Sequence, residues 1–323
     1  MEFPIYRLNE AVTEAMSKMV SLGIAGEISK GLDPQIQFVD ESGGPLSTIA
    51  EIIEVKGLHD SPRHHVKISA AYAQILWMIC SIALRNHDSF AIRNELHSMS
   101  PEEQAQFMNE VQVGNTVTNY LRDLVDTKTT LELSTNMLNI IEVICKRSLT
   151  QNKMEELHGY DMISDIGVRI NGLYVYAMTF ILLHEFSHHS LGHDLQAEGS
   201  IDEEVAADYN AFGAIYNDLN DAEKQTAMLG ILCSLVSLIF INTNLSNDNI
   251  HPKPIDRIFE FFDLIKQDYP KLAGLLCHLF YSWAVYVHDD NFPKQQNSYD
   301  ETLAKIKDYL MTLQNNAEHK TDD

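Results

Sequence analysis

The segment Phe180-Ile-Leu-Leu-His184-Glu185-Phe-Ser-His188 constrains this chain more than any other. It ends an apolar run of helical length with the pattern H-E-x-x-H. On an α-helix, residues four apart lie one turn apart on the same face, so His184 and His188 can aim two imidazoles at one ion. Glu185 is rotated by about 100° from His184, which puts its carboxylate beside a metal and not on it. A carboxylate in that place can take a proton from water and later deliver it to a leaving amine.

Two histidines leave a catalytic zinc site short of a third protein ligand and an open position for water. Downstream lies Ser200-Ile-Asp-Glu203-Glu204-Val-Ala-Ala-Asp208. Ser200 and Glu203 form S-x-x-E, a capping box that opens a second helix and engages Glu203 with the backbone. Glu204 takes the next position and is free to reach inward, and Asp208 lies four residues on, along the same face. Metal-ligating histidines usually give their second N–H to a carboxylate, and Asp208 is placed to receive one. Two rivals compete with Glu204. His193 follows His188 by five residues and points away from the ligand face while the helix continues. Asp194 has the offset of the third ligand in H-E-x-x-H-x-x-G-x-x-H, but Leu191 stands where that pattern has glycine. Gly192 more simply ends the helix. The expected set is zinc on His184, His188 and Glu204, with Glu185 as base and Asp208 behind one histidine.

The rest of the chain predicts an α+β, predominantly α fold: a small N-terminal sheet beside a helical, zincin-like core. Residues 36–39, 52–55 and 65–69 are short β-prone runs, separated by turn chemistry at Ser42-Gly43-Gly44-Pro45 and Asp60-Ser61-Pro62. Helical patterns follow at 70–84, 131–147, 172–191, 201–218, 222–241, 255–266, 272–287 and 301–313. Ser100-Pro101-Glu102-Glu103 joins a serine cap, a first-turn proline and a glutamate three residues after the cap, so another helix starts there. One domain over 1–323 is expected: a strand-containing part to residue 95, a helical part over 96–314, and a frayed polar tail over 315–323.

H-E-x-x-H followed by E-x-x-A-D, here Glu204-Val-Ala-Ala-Asp208, resembles the gluzincin metallopeptidases. The longer form H-E-x-x-H-x-x-x-x-H, ending at His193, is similar to the HtpX-like and CaaX-processing branch. His251-Pro252-Lys-Pro-Ile-Asp-Arg257-Ile258 is similar to the H-P-x-x-x-x-R-I segment of that branch, which implies that His251 and Arg257 face the cleft and could stabilise an oxyanion. In size and layout the chain looks most like the soluble Lit phage-exclusion peptidases, well over residues 170–290 and only in layout over 1–165. The resemblance implies zinc-dependent cleavage of an intracellular protein during phage infection or a related stress, with a translation elongation factor as the type of target. An activating protein or peptide is a further partner to expect. The alternative is a catalytically silent, metal-stabilised interaction or sensor protein on the same fold.

Charge bears on partners. Lys and Arg total 23 against 46 Asp and Glu, a formal net charge of −23. A nucleic-acid partner is not expected, since tracking phosphates needs a basic stripe, and anionic headgroups are disfavoured for the same reason. Around the site, Glu185, Glu204 and Asp208 would crowd three carboxylates together, which a dication and Arg257 would make tolerable. Cys80, Cys145, Cys233 and Cys277 sit singly in apolar stretches and read as reduced thiols. The start lacks the basic and apolar regions of a signal peptide. The longest apolar run, 227–241, gives a helix of about 22 Å, short of the roughly 30 Å hydrocarbon core, so no membrane span and a cytoplasmic location are expected. His278 and His288 read as satisfied core histidines, Tyr209 and Tyr216 as packing residues, and His64-His65 as a solvated turn.

Overall fold

The computed structural model describes residues 5, 8–19, 32–39, 50–56, 62–112, 127–145, 165–193, 200–243, 245 and 251–318. Their order is α1 (Asn9–Ser17), β1 (Leu32–Val39), β2 (Ala50–Lys56), β3 (Pro62–Ser69), α2 (Ala70–Ser98), α3 (Pro101–Gln112), α4 (Thr127–Cys145), α5 (Asp165–Ser190), α6 (Ile201–Asp218), α7 (Asp221–Ile241), α8 (Pro254–Ile265), α9 (Leu272–Tyr286) and α10 (Tyr299–Glu318). The fold is predominantly helical.

The strands form one sheet in the order β1-β3-β2, with β3 parallel to β1 and antiparallel to β2. The β-prone runs at 36–39, 52–55 and 65–69 lie within these strands. His64 and His65 lie on β3 and not in a turn; their side chains fall outside the described residues. Strand β3 passes into α2 without a loop. Ser69 ends the strand and caps the helix, its hydroxyl accepting from the Tyr72 N–H at 3.3 Å. A division at residue 95 therefore cuts through α2, most of whose first half is buried in the helical core.

Helix α5 lies at the centre, packed by α1, α2, α6, α7 and β2. Tyr174, Met178, Leu182 and Leu183 are fully buried on it, the pattern of a helix apolar on all sides. Its main neighbour is α7, and Gly230 sets how closely they approach. A Cβ at Gly230 would sit 2.8 Å from both the Ala177 N and the Leu173 O of α5, so only a residue without one fits.

The expectation that the apolar run is too short to span a membrane needs correction. The 22 Å refers to the apolar run 227–241 alone, whereas α7 begins at Asp221 and has 21 residues in all. At about 1.5 Å per residue it reaches roughly 32 Å. Both Ile166–Ser190 and Asp221–Ile241 are long and apolar enough to cross a membrane by length and composition. Most of each window is buried inside the protein, and the two helices bury much of it against one another.

The ends differ from expectation too. Helix α1 was not anticipated; it buries Val12, Ala15 and Met16 and packs on α5. Residues 315–318, expected in a frayed tail, continue α10, because Gln314 is buried there and accepts the Ile255 N–H at 3.4 Å. Residues 319–323 lie outside the described residues.

Candidate metal centre

Two helix ends build the site. Helix α5 delivers His184, Glu185 and His188 in its last two turns, and α6 delivers Glu204 and Asp208 in its first two. The capping box that starts α6 is complete: the Glu203 N–H donates to Ser200 Oγ at 3.3 Å, and Glu203 Oε2 accepts the Ser200 N–H at 3.0 Å. Glu203 is thereby engaged with backbone, and Glu204, one position on, is buried and turned toward α5. Asn210 ties the helices together lower down, its Nδ2 donating to Ser187 Oγ at 3.1 Å.

His184, His188 and Glu204 converge so that one ligand atom from each lies within 4.8 Å of the others. His184 Nε2 and His188 Nε2 are 3.1 Å apart. Glu204 Oε2 is 3.3 Å from the first and Glu204 Oε1 is 3.2 Å from the second. Yet Glu204 Oε2 is buried and receives no hydrogen bond among the described residues. Two imidazole nitrogens and a carboxylate thus face one place, an arrangement that could hold a metal ion. Two nitrogens and one oxygen suit zinc, and three protein ligands leave a fourth position open. The residues present fit the metal.

The other nitrogen of each histidine is engaged. Asp208 Oδ1 lies 2.9 Å from His184 Nδ1. Asp208 is itself held by Arg257, whose Nε and Nη2 donate to Oδ2 and Oδ1 at 2.7 and 2.6 Å. A two-pronged fork of this kind is the strong form of the arginine–carboxylate pair. His188 Nδ1 lies 2.8 Å from His193 Nδ1. His193 does point away from the ligand face, as expected, but onto the back of His188. Asp194, the other rival ligand, lies outside the described residues.

The charges around the site favour a positive group in it. Burial opposes protonation of His184, but Asp208 and Glu204 beside it outweigh burial and carry its pKa up to about 9. Burial also works against ionised Glu204, yet His184 and His188 hold its carboxyl well below the usual carboxylate range. Asp208 is likewise held low against burial, by Arg257 and His184. Glu185 goes the other way: burial raises its carboxyl, with His184 and His188 opposing.

His251 Nε2 stands 3.8 Å from Glu204 Oε2, and half of the His251 side chain is exposed, so it sits at the solvent side of the centre just ahead of α8. Arg257 is mostly buried, its side chain 11% exposed, and its fork is taken up by Asp208. Its contacts place it behind a carboxylate that backs a ligand. This differs from the cleft-facing position that the resemblance implied. Tyr209 is about half exposed, and Tyr216 donates to Asp268 Oδ2 at 3.0 Å, away from the centre.

No curated protein and no solved structure matches the chain. The sequence model of the Peptidase U49 family matches residues 66–276, more than half of the chain. The matched part contains both ligand helices and the His251–Arg257 segment, and it reaches back through α2, where only a likeness of layout was expected. The convergent histidines and glutamate therefore sit inside a family-defining region, and the chain belongs to the peptidase U49 family.

Proposed function

We propose that this chain is a zinc-dependent endopeptidase of gluzincin type that hydrolyses a peptide bond in a cytoplasmic protein, with phage exclusion or a related stress response as its setting. The observation that carries the zinc reading is the convergence of His184 Nε2, His188 Nε2 and a buried, otherwise unpartnered Glu204 oxygen. The E-x-x-A-D spacing of Glu204 and Asp208, the extended histidine at His193 and the H-P-x-x-x-x-R-I segment support the same reading.

When bound, zinc supplies Lewis acidity to water and to the scissile carbonyl. Glu185 takes the proton from the attacking water. Its raised pKa suits this work, because a base poised nearer neutrality can also return the proton to the leaving amine. Asp208 holds the His184 ring so that Nε2 presents its lone pair, and Arg257 holds Asp208 in turn. His251, at the solvent side, is the residue placed to donate to the oxyanion. An activating protein or peptide belongs to this reading as a further partner.

The test is Glu185→Gln. Cleavage, read as new protein termini in cells expressing wild type against the variant, should fall by about 10²–10⁴-fold. Zinc content of the purified variant should stay at the wild-type level. Full cleavage by Glu185→Gln would sink the mechanism. Zinc binding without turnover by the wild type would favour the silent sensor instead.

A further inference from the structure

The last turn of α5 does more than stop the helix. Gly192 adopts φ 75°, the His193 N–H donates to the His188 carbonyl at 3.0 Å, and the Gly192 N–H donates to the His189 carbonyl at 3.2 Å. This pair of backbone bonds is the Schellman motif, and it turns the chain back over the helix end. It lays the His193 ring against His188, with centroids 5.0 Å apart and an interplanar angle of 65°. The two Nδ1 atoms meet at 2.8 Å, which requires a proton on one of them.

We infer that His193 is a positioning residue for the metal: it accepts the Nδ1–H of His188 and so fixes the His188 Nε2 lone pair toward His184 and Glu204. The inference rests on the metallopeptidase reading above. Its logic is the tautomer rule. A neutral imidazole carries one N–H, and a nitrogen that ligates a metal cannot hold it. His188 Nε2 faces the convergence, 3.2 Å from Glu204 Oε1, so the ring proton belongs on Nδ1. His193 Nδ1 is where that proton points. The two ligand histidines are thus braced from opposite sides. His184 leans on a carboxylate from α6, and His188 leans on an imidazole supplied by the C-terminal cap of its own helix.

The experiment uses the full chain and zinc alone as the probe, in competition with a fluorescent chelator. His193→Ala should bind zinc about 10–100-fold more weakly than wild type. His193→Asn, whose Oδ1 can stand where Nδ1 stood, should recover most of that loss. A purely structural role would not distinguish these variants at equal melting temperature. Independently of any variant, nitrogen NMR of the zinc-loaded wild type should show His188 Nδ1–H coupled across a hydrogen bond to His193 Nδ1. That coupling being absent, or His193→Ala binding zinc as tightly as wild type, overturns the inference alone. A wild type that binds no zinc overturns the metallopeptidase reading together with it.

Discussion

Two histidine pairs in the protein behave in opposite ways. His184 and His188 lie 4.8 Å apart between ring centroids, edge to face, with Glu204 and Asp208 against them. His87 and His278 lie 6.5 Å apart, also edge to face, and His278 packs on Phe90 and Tyr299. Burial drives His278 down to about 4, with the neighbouring charges of His87 and Arg93 adding to it. The same penalty acts on His184, yet the carboxylates carry that ring up to about 9. Burial alone makes a neutral histidine pair, and burial with two carboxylates makes a place for a cation. His278 is not the satisfied core histidine its sequence context suggested. Its Nε2 is buried with no partner among the described residues.

Breaking this contrast is a matter of moving carboxylates. The largest effect is expected from Glu204→Leu, which strips the metal pair of its oxygen ligand. One zinc per chain, measured by atomic absorption after dialysis, should drop to none; retained stoichiometric zinc would return the third-ligand role to another residue. Asp208→Asn should be milder, since the ligands remain and only the backing of His184 and the partner of Arg257 change. Zinc affinity should fall by about 10–100-fold, and an unchanged dissociation constant would remove Asp208 from the site.

Removing the apolar pair should cost little and alter pH dependence. Between pH 6.5, the ordinary histidine value, and about 4, the unfolded chain binds a proton at His278 that the native protein refuses. Native stability therefore falls as pH drops through that window. His278→Leu should change stability at pH 7 by less than about 1.5 kcal/mol and flatten the decline between pH 7 and 5. Urea unfolding at both pH values checks it; parallel declines in the two proteins would contradict the neutral-pair account. The smallest effect is expected of Gly192→Ala. No atom of the described residues lies within 4 Å of the added Cβ, and the positive φ opposes it. A loss of about 1 kcal/mol in unfolding free energy is predicted, and no loss would mean that the turn relaxes into another shape.

The sequence could read the ligand helices because their signals are local. His184, Glu185 and His188 are fixed by helical period, and Glu204 by the capping box at Ser200, so the three side chains that converge could be picked out by spacing. The position of Arg257 was another matter. Its motif suggested a cleft-facing donor, but a residue 49 positions from Asp208 meets it only through the packing of α8 on α7 and α10 and of α7 on α5 and α6. The contact of His193 with the back of His188 was not legible for a related reason: it depends on the turn at Gly192, beyond the reach of the helical period. His288, expected in the core, is instead exposed two residues past the end of α9, at φ 56°, with the Asp289 N–H donating to the Ala284 carbonyl at 2.9 Å.

By itself, the sequence determined the helical class, the metal-ligand spacing on α5 and the capped start of α6, all of which depend on contacts within a turn or two. Tertiary structure decided which nitrogen of each histidine faces Glu204, what stands behind it, and that two helices long enough to span a membrane bury much of themselves against one another. Those outcomes depend on side chains far apart in the chain meeting at low dielectric. There the difference between a cation site and a neutral pair is set by which neighbours arrive.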